Sequence, residues 1–258
     1  MPVARAETAA RPWRQLIAGC GMIVLCGCST LSRSLPTTDG ADVDAVVATV
    51  RAREDAITTL RTSFSARTRE RDCERAADGV LLVQKPDRFR LRLMLNVGVT
   101  VFDYLTVGTR TQLALPLEGK IINGSPQGEW ATFSRDDLSQ AFLRGSRAFP
   151  GICKTTAQDA SLLVVTCREG GVLQRRVLIE RSTATVREEV SYARDEPRMI
   201  VRYGDYRMVG AVPMPYRVEL AYPAREIVVE ITVRTTEVNP LLDASLFEPL
   251  APWDAKGS

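Results

Sequence analysis

Between about Leu60 and Val238 the side chains alternate between apolar and polar with a period of two, which restricts the chain to folds built from strands. The alternation is cleanest where Arg88, Arg90 and Arg92 interleave with Phe89, Leu91, Leu93 and Leu95. Successive side chains of a strand point to opposite faces, so this segment predicts one wet arginine face and one buried apolar face. Val99–Val107 follows the Asn96-Val97-Gly98 turn, which makes the two runs a hairpin. Further strand-like runs lie at Gly79–Gln84, Arg110–Leu115, Lys120–Asn123, Ser161–Arg168, Val172–Arg181, Thr185–Tyr192, Arg198–Tyr203, Met214–Tyr222 and Glu226–Thr235. Arg168-Glu-Gly-Gly171, Asp195-Glu-Pro197 and Pro223-Ala-Arg225 punctuate them. Many short strands separated by turn signals predict an antiparallel sandwich or barrel.

Two segments depart from that period. Val43, Val46, Val47, Val50, Ile57 and Leu60 recur at helical steps behind Asp42 or Asp44, either of which can cap a helix. Midway through the strands, Ser134-Arg-Asp-Asp137 has the form of an N-cap with an acidic first turn. It opens Leu138–Leu143, a short helix with Leu138, Ala141 and Phe142 on one side. A helix inserted into a meander of strands must cover something apolar, and the mouth of a curved sheet is the expected place.

The N-terminus reads as an export signal. Arg5, Arg11 and Arg14 precede the almost uncharged stretch Leu16–Leu25, too short to cross a hydrocarbon core, which takes roughly 20 residues. It ends in Leu25-Cys26-Gly27-Cys28-Ser29, which resembles the bacterial lipobox, with Cys28 as the lipid acceptor and Cys26 in a poorer context. The expected organisation is a lipoprotein signal peptide over 1–27 and a lipidated N-terminus and flexible tether over 28–41. A β-barrel domain over 42–250 and a C-terminal tail over 251–258 complete it. Ser29, where an aspartate resembles an inner-membrane retention signal, favours the outer membrane and its periplasmic face.

The rest of the chain excludes more than it identifies. The formal charge is +3, and residues 1–27 hold three arginines against Glu7, so the processed chain carries +1, no footprint for nucleic acid. There is no histidine and no CxxC spacing, which leaves zinc, haem and histidine-dependent triads little to work with; no metal or other cofactor is expected. No G-x-S-x-G is present, and the carboxylate pairs Asp136–Asp137 and Glu188–Glu189 read as a helix cap and as solvated strand positions, so no catalytic residue is assigned. Beyond the acceptor stand Cys73, Cys153 and Cys167; an oxidising compartment permits one disulfide, and Cys153–Cys167 is the favoured pair.

Taken together, the lipobox, the first amphipathic helix, the Arg88-Phe-Arg-Leu-Arg-Leu93 strand running into Leu95-Asn-Val-Gly-Val-Thr100, and the helix at Ser134–Leu143 resemble the LolA/LolB-like superfamily of bacterial lipoproteins. Tyr203-Gly-Asp-Tyr206 followed by Val212-Pro-Met-Pro-Tyr-Arg217 matches the layout of its outer-membrane lipoprotein receptor, LolB. Val238-Asn-Pro-Leu-Leu-Asp243 with Leu246-Phe247 looks more like the soluble carrier LolA. The resemblance implies a half-open, strongly curved antiparallel β-barrel covered by an N-terminal helix and a short mid-chain lid helix, with an apolar cavity for acyl chains. Phe64, Phe89, Leu91, Leu93, Val101, Leu105, Val218 and Leu220 are the candidates for its inner face. It also implies a membrane-inserting turn at Val97, although the family pattern has a proline and a bulkier leucine there. Of the arginines in the region where LolA ties sheet to lid, Arg61, Arg67 and Arg69, the pattern selects none. The implied partners are acyl chains of lipoproteins or lipids, a membrane reached through the anchor, and a LolA-like periplasmic carrier. The alternative is a structural or assembly lipoprotein whose sheet binds a protein and whose core is filled.

Overall fold

The computed structural model describes residues 43–95, 97–124, 142, 152–157 and 159–252. Cys28, Leu138, Ala141 and the Asp136–Asp137 pair lie outside them; of the expected lid helix only Phe142 is described, with helical backbone. The chain divides into two compact units, Met1–Leu31 and Ser32–Ser258, and every described residue belongs to the second.

Among the described residues one α-helix, α1 (Val43–Asp55), precedes thirteen strands. These are β1 (Thr59–Glu70), β2 (Cys73–Gln84), β3 (Arg88–Met94), β4 (Thr100–Val107), β5 (Arg110–Leu115), β6 (Lys120–Asn123), β7 (Ile152–Ala157), β8 (Leu162–Glu169), β9 (Val172–Glu180), β10 (Thr185–Ala193), β11 (Glu196–Val209), β12 (Val212–Tyr222) and β13 (Ile227–Val238). They form a single sheet in the order β6-β5-β4-β3-β2-β1-β13-β12-β11-β10-β9-β8-β7, with antiparallel pairing throughout. The first and last strands are neighbours, so the meander runs outward from β1 to one edge and returns from the other edge to β13. Among the described residues the sheet is open at one seam, between β6 and β7, which in sequence are separated by residues 125–151. Both edge strands are short, and each carries an exposed lysine, Lys120 and Lys154, two of only four lysines in the sequence. Short, lysine-bearing edges discourage pairing with another chain.

One large apolar cluster occupies the face against which α1 packs, here called the inner face. Val46, Val47 and Val50 of α1 meet Leu60, Phe64, Leu81 and Val83 there, together with Leu163, Val177, Val201, Val218 and Ile231 from the far strands. The edge strands contribute Ile122 and Cys153. Each fully buried aliphatic or aromatic side chain contributes about 1.5–3 kcal/mol, so this cluster dominates the stability of the unit. The stripe assigned to the first helix is longer than the helix. Ile57 lies in the connection and Leu60 in β1, because Ala56–Thr58 turns the chain while keeping both side chains pointed at the same core.

The opposite, outer face is not uniformly wet. After β13 the segment 239–252 crosses β2–β5 and buries Leu82, Leu105 and Phe247 in a second, smaller apolar cluster. Arg90, expected in water, is buried there: it grips Asp103 through two 2.8 Å hydrogen bonds and donates to the carbonyls of Leu246 and Glu248. Arg92 donates to the same carboxylate at 2.9 Å, while Gln112 accepts from the Leu250 amide and donates to the Ala251 carbonyl. The wet-face expectation therefore fails at Arg90 because the chain's own C-terminal segment covers that part of the sheet. Away from it the outer face is a lattice of exposed ion pairs, such as Arg176–Glu188–Arg202–Glu219.

Candidate functional site

Strand alternation builds the inner face, and register decides which residues reach it. β1 presents Leu60, Thr62 and Phe64 inward, and Phe64 lies directly across from Gly79 of β2. A β-carbon on Gly79 would stand 2.2 Å from the Phe64 ring, so glycine is required for the ring to lie over the neighbouring strand. The ring then meets Phe142 at 5.4 Å between centroids, tilted by 36°. Phe142 is thus a buried aromatic lying against the sheet at Phe64.

Beside Phe142 opens a cleft of about 450 Å³, counting the part open to solvent. Its walls are Val50, Glu54 and Ile57 at the end of α1, Val186 of β10, and Val212 and Met214 of β12. Polar contacts hold these walls in place. Arg53 donates to the carbonyls of Thr183 and Ala184 at 2.8 and 3.1 Å, tying α1 to the β9–β10 turn, and burial lowers its pKa. Lys85 donates to the Glu54 carbonyl at 2.7 Å; burial lowers its pKa and the charges of Asp55 and Glu54 oppose that shift. Two cations at the C-terminal turn of α1 also match the negative end of the helix dipole. The Tyr206 hydroxyl donates to the Val186 carbonyl at 2.6 Å. The inner face also holds a charge pair. Arg175 meets fully buried Glu189 at 2.9 Å, so Glu189 is not the solvated position that its sequence neighbours suggest. A buried charge of this kind is strongly destabilising unless its partner is kept.

Phe64, Phe89, Leu91, Val218 and Leu220 lie in the inner cluster, with Leu93 and Val101 half-buried at its margin. Leu105 does not: it sits opposite Arg90 on the outer face, under Phe247. The register shifts between Leu93 and Met94, a bulge that changes the phase of β4, so Phe102 and Tyr104 point inward in its place. Asp103 was the available signal, because a phase that turns Val101 and Leu105 inward also turns a carboxylate inward. Arg61, Arg67 and Arg69 all face outward in ion pairs with Glu237, Glu74 and Glu230. The arginine that ties helix to sheet is Arg53, which no motif marked. Val97 stands 80% exposed at the β3–β4 tip. Cys153 and Cys167 are joined by a disulfide at directly opposed positions of β7 and β8, and Cys73 is free and exposed at the β1–β2 hairpin.

No protein-family model matches the sequence, and no curated protein matches it either. Solved structures do match its fold. A LolA superfamily protein from Nitrosomonas europaea aligns with a TM-score of 0.56 at 13% identity, over 78% of this chain and 97% of that one. The fold is LolA-like. An outer membrane lipoprotein-sorting protein domain from Vibrio parahaemolyticus aligns with a TM-score of 0.57 at 10% identity, over 79% of this chain and 94% of that one. A DUF1329 family protein from Desulfovibrio piger gives 0.58 at 12% identity, over 80% and 95%. In LolA-like terms the described residues form an open antiparallel barrel whose helix α1 lies against the inner face.

Proposed function

We propose that this chain is a membrane-anchored periplasmic lipoprotein that takes an acyl chain onto its inner face and accepts or delivers lipoproteins or lipids at the outer membrane. The observation that carries the reading is the Phe64–Phe142 contact: an inner wall that is almost wholly apolar, covered at Phe64 by the Phe142 ring. The enclosed part of that cleft is about 30 Å³, room for little more than a water molecule, so an acyl chain fits only after Phe142 has moved. An acyl chain entering there needs no catalytic group; burial at about 25 cal/mol per Å² supplies the affinity. Displacing Phe142 continues the cleft along Phe64 and the β1–β2 wall. In this reading Phe64, Phe89, Leu91, Leu93, Val101, Val218 and Leu220 line the route, Leu138, Ala141 and Phe142 form the lid, and Val97 is the turn that enters the bilayer during transfer. A LolA-like carrier is the soluble partner. The alternative, a scaffold with a permanently filled core, predicts no saturable uptake of fatty acid.

The reading is tested by transfer of a palmitoylated peptide from the protein to liposomes. Val97→Glu is expected to leave folding intact, because the side chain is exposed on a turn, and to slow transfer several-fold. An unchanged rate removes Val97 from the transfer step. The anchor is tested separately: Cys28→Ala is expected to abolish metabolic labelling by fatty acid, and labelling that persists assigns the acceptor role to Cys26.

A further inference from the structure

The strand order sorts the turns onto two rims of the sheet. One rim collects the turns β1–β2, β3–β4, β5–β6, β8–β9, β10–β11 and β12–β13 and the start of β7. Eight large apolar side chains are exposed among the described residues, and six of them lie on this rim: Leu95, Val97, Val99, Leu117, Ile152 and Val172. The other two, Leu241 and Leu250, belong to the C-terminal segment. The six are also sorted along the rim. They occupy the β3–β4 and β5–β6 turns on one side of the seam, and the start of β7 and the β8–β9 turn on the other. The three turns farthest from the seam are polar instead, with Arg71 and Asp72, Arg194 and Asp195, and Arg225 and Glu226. The rim thus has an apolar sector flanking the opening and a charged sector away from it.

We propose that this apolar sector docks on the surface of a phospholipid bilayer and presses the open seam against it. Single apolar side chains on the tips of separate turns do not make a groove for a peptide or a partner helix, but one flat surface can reach them together. Lys120, Lys154 and Arg168 nearly balance Glu118 and Glu169 within the sector, so attraction comes from insertion rather than from charge. The inference deepens the acyl-carrier reading by naming the surface through which cargo would pass, and it extends the contact from Val97 to both sides of the seam.

Flotation of the compact unit 32–258, which contains the whole sheet and both apolar clusters, with phosphatidylcholine vesicles tests it. The protein is expected to bind equally at about 0.1 M and about 0.5 M salt, where exposed charges are screened. Leu117→Ser with Ile152→Ser, at positions 65% and 78% exposed, is expected to weaken binding by about tenfold for each residue. Leu241→Ser, a still more exposed site off the rim, is expected to change nothing. The proposal is overturned if the wild type does not float, if salt alone releases it, or if the double variant floats as well as the wild type. It is equally overturned if the double variant instead splits a dimer in solution. Fluorescent fatty-acid uptake by the same proteins separates the two ideas: vesicle binding without uptake ends the carrier reading and leaves the docking rim in place.

Discussion

Asp103→Ala is expected to lower the stability of the folded unit by about 3–5 kcal/mol, the range seen when one partner of a buried ion pair is removed. Asp103 is 2% exposed and accepts two hydrogen bonds from Arg90 and a third from Arg92. Its removal strands the Arg90 guanidinium beneath the C-terminal segment, whose Leu246 and Glu248 carbonyls that same side chain holds. The loss therefore spreads to Phe247 and Leu82, and segment 239–252 is expected to exchange its amides earlier than the rest. Urea unfolding and hydrogen exchange measure both effects. The exposed pair Arg61–Glu237 is the control, worth less than about 1 kcal/mol. Replacing both partners, Arg90→Met with Asp103→Leu, is expected to restore much of the loss, because no charge is then left buried. A change below about 1 kcal/mol for Asp103→Ala contradicts the assignment of this network as the clasp of the C-terminal segment.

Phe142→Ala is expected to raise the affinity for a long-chain fatty acid by about ten- to a hundredfold while lowering the stability of the empty protein by a few kcal/mol. Both effects come from one contact. In the closed form the Phe142 ring occupies the inner face against Phe64, so an entering chain must first displace it. Truncation removes that competitor and shifts the population toward the binding-competent state. Titration with a fluorescent fatty acid reads the first effect and thermal unfolding the second. A fall in affinity would show that Phe142 is a wall of the site rather than its plug.

Several strands are legible in the sequence as short strand-like runs bounded by turn signals. β3, β5 and β6 fall on the ranges that alternation assigns. β1 and the first half of β2 were not delimited, since Arg67–Glu70 and Cys73–Ala77 stay largely exposed and carry no apolar phase. The arginine at 90 read as a surface residue because alternation reports which side chains share a face, not what later covers that face. Burial of that face depends on residues more than 150 positions away, Leu246 and Glu248. A single bulge, the smallest irregularity that can reverse a strand's phase, turns Leu105 to the face opposite the one that plain alternation predicts. Glu189 went unrecognised for a related reason: a shift between Val186 and Glu188 separates the phase of β10 from simple counting. Of the inner wall, Phe64, Phe89, Leu91, Val218 and Leu220 could be named because no irregularity intervenes within their own strands. Arg53 could not, because a helix-to-turn tether has no periodic signature.

In the proposed cycle a fatty chain lies along the inner face after displacing Phe142. Photo-crosslinking with a diazirine-bearing palmitate, followed by peptide mapping, tests it most directly. The account predicts saturable labelling, one adduct per chain, on peptides of β1, β2 and β12 and on the one bearing Phe142, competed away by unlabelled palmitate. Labelling that does not saturate, or that falls only on exposed turns, would contradict it and leave a filled barrel.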